Sequence, residues 1–110
     1  MKARLTIAVL IASFYAQNVS ACGAIAFNPN TQAWGRATGY ADLADAMNHA
    51  ISDCKDGCGI YAWTSNEVVT AIVFQGSKWA TSTGNTAALA VAHAKAFCPS
   101  CTGDVTAGSN

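Results

Sequence analysis

Ala24 to Gly39 reads AIAFNPNTQAWGRATG, and Ala71 to Gly84 reads AIVFQGSKWATSTG. Each opens with a short apolar run ending in Phe, passes through a polar turn to a Trp, and closes on Thr-Gly. The likeness continues in DLADAMNHAISDC (Asp42 to Cys54) set above TAALAVAHAKAFC (Thr86 to Cys98). There His49 falls on His93, Ala50 on Ala94 and Cys54 on Cys98. The shared order of Phe, Trp, Thr-Gly, His and Cys is more than two Ala-rich helices produce by chance, so the chain reads as a tandem repeat.

Each copy predicts strand, turn, strand, helix, strand. In the first, GAIAF and AWGRAT flank NPNTQ, whose Asn-Pro start signals a turn. Asp42 is placed to cap a helix, and Leu43, Ala46, Met47, Ala50, Ile51 and Cys54 recur with the spacing of one buried helical face. GIYAWTS then returns as a strand, with Ile60 and Ala62 expected on one side and Tyr61 and Trp63 on the other. The second copy repeats this with VVTAIVF, KWATST, a helix from about Ala87 to Cys98, and a short last strand within TGDVTAG. The expected fold class is α+β: two pseudo-symmetric ββαβ repeats, antiparallel sheet packed with two helices, stapled by disulfides.

The amino terminus predicts export. Lys2 and Arg4 precede an apolar run from Leu5 to Ala16, and Val19 and Ala21 put small residues before a cleavage site. The run is too short for a membrane span. Residues 1–21 are therefore read as a signal peptide and 22–110 as one domain of two repeats, about 23–66 and 67–110. The expected location is secreted or periplasmic. VSAC at the cleavage point also satisfies a loose lipobox, so Cys22 is a candidate for lipidation and an envelope anchor, or for a free thiol.

All five cysteines lie beyond residue 21. In an exported chain the first reading of Cys54 with Cys58, and of Cys98 with Cys101, is two local disulfides, each pinning a helix end to the strand that follows. Zinc is the rival, because four cysteines with His49 and His93 could supply ligands. Five residues separate His49 from Cys54, about 140° around a helix, which points them to different faces. CPSC also matches a thioredoxin-type motif, but it follows its helix, where the dipole would raise rather than lower a thiol pKa.

Chemistry is sparse. His49 stands four residues from both Asp45 and Asp53, which on a helix could join imidazole and carboxylate as a general base. The plainer reading is a solvated face carrying i, i+4 pairs, and His93 has Leu89 and Phe97 at the matching places. Trp34, Trp63 and Trp79 could line a binding surface, although Trp in the strands of a small domain usually belongs to the core. Arg36 is read as a surface residue before an anion clamp. No catalytic set, phosphate loop, metal site or cofactor motif is present. Beyond residue 21 four basic residues face six acidic ones with no basic run, so no nucleic-acid partner is expected.

GAIAF, AWG, an Ala-rich helix ending in Cys, a second Cys, and a second copy beginning TAIVF together resemble the bacterial exported domain of unknown function 4189. Members often carry a further cysteine where this chain has Val68 and Val69. The resemblance implies a small secreted or periplasmic protein with cysteines, and no common activity. The functional expectation is a small exported non-enzymatic module that binds another protein, as an inhibitor or immunity-like partner of an envelope or secreted protein. The alternatives are a secreted effector acting on host or competitor cells, and a hydrolase built on His49 with Asp45 or Asp53.

Overall fold

The computed structural model describes residues 22–65 and 68–108. The stretch 1–21, read above as an export signal, lies outside them. The elements follow the expected order twice: β1 (Cys22–Asn28), β2 (Ala33–Tyr40), α1 (Leu43–Cys54) and β3 (Gly59–Thr64), then β4 (Val69–Gln75), β5 (Lys78–Gly84), α2 (Ala87–Phe97) and β6 (Gly103–Ala107). The fold is α+β, and the six strands form two three-stranded antiparallel sheets, ordered β2-β1-β3 and β5-β4-β6.

The local reasons match the sequence. Asp42 caps α1, its side chain accepting the Ala44 N–H at 2.9 Å. Thr86 caps α2 by accepting from Leu89 N–H at 3.2 Å. Each side-chain oxygen satisfies a donor that the first helical turn leaves unpaired. β4 and β5 are joined through Gly76 and Ser77, and Gly76 has φ of 62°, the sign needed at the first position of a II′ hairpin turn. α1 ends at Lys55 in the left-handed region, where the chain reverses toward Cys58.

The central strands are apolar in their middles, Ala24–Phe27 and Ala71–Phe74, because both of their faces are covered. Ala24 and Ala26 of β1 pack with Ala46, Ala50 and Cys54 of α1, while Ile25 and Phe27 point the opposite way. There they meet Ile72, Val105 and Ala107 of the second sheet. On the far side Val73 packs with Ala80, Ala94, Cys98 and Cys101. The molecule is thus four layers: helix, sheet, sheet, helix. The contacts between sheets obey the repeat, since β1 meets β4 and β6, β3 meets β4 and β5, and β2 meets β6. Exchanging the two copies maps this set onto itself.

Two expectations are corrected. The side chains of β3 do not alternate as GIYAWTS predicts. Ile25 pairs with Ala62 but Ala26 pairs with Ile60, so Tyr61 is an extra residue in a bulge. The slip turns Ile60 toward α1 and Ala62 toward the second sheet. It also brings Tyr61 edge-on to Phe27, ring centroids 5.6 Å apart. Along α1, the buried stripe is Ala46, Ala50 and Cys54, with Leu43 and Met47 half-buried and Ile51 43% exposed. One residue past Ala50 is a turn of about 100°, which carries Ile51 off the sheet-facing line.

Both cysteine pairs are joined within their own halves. Cys54–Cys58 and Cys98–Cys101 have Cα separations of 6.2 and 5.5 Å, inside the roughly 4.4–6.8 Å that a disulfide spans. No helix of the described residues is long and apolar enough to cross a membrane.

Candidate functional site

The aromatic residues expected in the core stand at the surface. Trp34, Trp63 and Trp79 are 42, 54 and 44% exposed. Register explains the first and third. Trp34 pairs with Phe27 and Trp79 with Phe74, so both lie on the inward face of their sheets, but on the edge strands β2 and β5. Phe27 is covered by the opposite sheet, whereas the tryptophans sit at its rim. Trp79 is held there by Tyr61 of the other half, edge to face with centroids 4.8 Å apart. Trp63 pairs with Ala24 and so faces the helix side. α1 lies chiefly over β1 and β2, which leaves the outer surface of β3 at Trp63 open.

On the helices, the stripe that holds Asp45, His49 and Asp53 in α1 holds Leu89, His93 and Phe97 in α2, with Phe97 76% exposed. His93 Nδ1 lies 2.7 Å from the Thr83 carbonyl oxygen. A carbonyl only accepts, so Nδ1 carries the proton in that contact. His49 makes a different contact, its ring tilted 38° against Tyr40 with centroids 5.3 Å apart. The Asp53 carboxylate accepts the backbone N–H of Arg36 at 3.2 Å, which turns it to β2 instead of to His49. Of the two carboxylates that could hold His49, Asp53 is thus committed to the β2 backbone.

A cleft of about 490 Å³ opens between the two halves, where the ends of β2 and β6 meet the start of α2. Arg36, Thr38, Tyr40 and His49 line it from the first half, Thr106 and Ala87 from the second. Arg36 Nη1 donates to the Thr106 carbonyl at 3.3 Å, across the gap between the sheets. Next to it the Gly39 N–H donates to the Gly108 carbonyl at 2.8 Å. Gly39 has φ of 74°, in a bulge where the β1–β2 register slips between Cys22 and Ala24. A glycine there lets β2 bend toward the second sheet.

Of the sequence candidates, Arg36 and His49 come together in this cleft, and the three tryptophans do not line it. Tyr40, Thr38 and Thr106 were not singled out by sequence. Only the sheet-on-sheet packing joins Thr106, seventy residues on, to Arg36. Cys22 is a free, half-buried thiol at the start of β1, opposite Tyr40 and packed against the α1 cluster. Among the described residues, no group of three or more His, Cys, Asp or Glu is placed to hold a metal ion.

Comparison with known proteins adds one result. No curated protein and no solved structure matches the chain. The family described as a domain of unknown function, DUF4189, matches residues 22–108, which takes in all eight elements and both cysteine pairs, and the chain belongs to that family.

Proposed function

We propose that the chain is a small exported protein-binding module, an inhibitor or immunity-like partner of another envelope or secreted protein. The observation that carries this reading is the exposure of Trp34, Trp63 and Trp79 on strands whose opposite faces are locked in the core. Large aromatic side chains presented on rigid backbone supply contact area at little entropic cost, and Trp dominates the energetics of many interfaces. Export rests on the signal-like amino terminus, and two cysteine pairs at disulfide distance fit an oxidising compartment.

The test immobilises the processed protein, presents it with envelope and secretome extracts at physiological salt, and rebuilds any complex from purified components. A partner bound by the wild type should be lost or weakened by Trp34→Ala with Trp79→Ala. A hot-spot tryptophan costs about 2 kcal/mol or more on truncation, ~30-fold in Kd. Failure to retain any partner, or one bound equally by the double variant, removes the support for this reading. A host or competition phenotype without such a partner would move the assignment to a secreted effector.

A further inference from the structure

The two halves are alike in backbone and differ in charge on the faces where their sheets meet. Arg36 stands opposite Ile25, and Thr81 stands opposite Ile72 at the equivalent position of the second half. Only the first half therefore sends a cation into the gap between the sheets. The exposed Arg36 side chain reaches across to the Thr106 carbonyl with Nη1, which sets the guanidinium against the cleft wall and leaves its other N–H groups to donate elsewhere. A positioned guanidinium loses less entropy on gripping an oxyanion than a free one does.

The rest of the lining fits the same chemistry. Thr38, Tyr40, His49 and Thr106 line the same cleft as the guanidinium, and Ala87 brings in the positive end of α2. Among the described residues no carboxylate side chain lines the cleft; Glu67, near Val69 in the chain, lies outside them. Asp42 and Asp104 are near neighbours in the chain of the lining residues Tyr40 and Thr106, Asp42 caps α1, and the Asp53 carboxylate is engaged by the Arg36 backbone. The adjoining Tyr40 and His49 rings, tilted against each other, give the cleft an aromatic wall. Its volume, about 490 Å³, suits a small molecule and not a polypeptide segment.

We infer that this cleft is a binding site for a small organic anion, gripped through a carboxylate or phosphate group by Arg36 and covered by Tyr40 and His49. The site is independent of the exposed tryptophans and stands whether or not a protein partner exists. It belongs to the paired repeats: each half alone supplies one wall.

The test is NMR titration of the disulfide-bonded protein with inorganic phosphate and acetate, then with phenyl phosphate and benzoate. The expected result is saturable shifts confined to residues 36–40, His49 and residues 106–108, with none around Thr81 and His93. The aromatic probes should bind more tightly than the inorganic ones, and the preferred series tells phosphate from carboxylate. Arg36→Gln should weaken binding by about tenfold or more, and Arg36→Lys should restore part of it. Because Arg36 also bridges the sheets, His49→Ala is the second probe; it should weaken phenyl phosphate and benzoate while leaving the fold intact. Non-saturating shifts, shifts shared with Lys55, Lys78 and Lys95, or binding unchanged in both the Arg36→Gln and His49→Ala variants would overturn the assignment.

Discussion

At Gly35 the closeness of a helix to its sheet is decided by one missing methyl group. A Cβ at this position would overlap the Ala50 carbonyl and the Cys54 amide of α1, backbone atoms that no side-chain rotation can move. Ala80 occupies the matching place in β5, opposite Val73 as Gly35 is opposite Ala26, so α2 rests on its sheet with room for a methyl. Gly35→Ala is expected to cost about 3 kcal/mol, because overpacking against backbone must displace the whole helix. In a domain of this size that lowers Tm by on the order of 10–20 °C, read by calorimetry. Ala80→Gly makes the contrast, costing about 1 kcal/mol from lost burial and added chain freedom. Equal losses at the two sites would contradict the difference in helix approach.

At the scale of elements, each helix is tied to the strand after it by a covalent bond spanning a very short loop. Cys54 to Cys58 and Cys98 to Cys101 are four and three residues apart. Loops this small constrain the unfolded chain modestly, about 2 kcal/mol each in the chain-entropy account. Replacing either pair by serine should therefore lower the urea midpoint without abolishing cooperative unfolding, and replacing both should lower it about twice as far. Loss of all structure on removing one pair would mean that the staples, and not the apolar layers, hold the helices. Both pairings were legible in the sequence, because short spacing behind an amphipathic helix leaves little choice of partner. The slip in β3 was not legible. A bulge is set by how Ile25 and Ala26 find their partners on the neighbouring strand, and nothing within GIYAWTS marks Tyr61 as the extra residue.

For the whole molecule, the largest buried side chains lie between the sheets. Ile25, Phe27 and Ile72 are fully enclosed there, and the Phe27 and Phe74 rings meet across the interface at 5.1 Å. Neither repeat can bury this face alone, and a chain of some forty residues has little other core to rely on. Residues 22–66 and 67–110 produced separately should show no cooperative unfolding, while mixing them should restore dispersed NMR resonances. A half that folds alone as a monomer would show that the sheets stabilise each other less than their packing implies.

The sequence by itself determined the repeat, the element order, the Asp42 cap and the cysteine pairs, because each is written in residue order or depends on neighbours within one or two helical turns. Tertiary structure alone decided that the strands divide into two stacked sheets, that the tryptophans fall at the rims, and that Arg36 meets His49 and Thr106 in one cleft. Those outcomes depend on which surface lies over which, and a pattern that repeats every two or 3.6 residues tells only that a face is apolar, never what covers it.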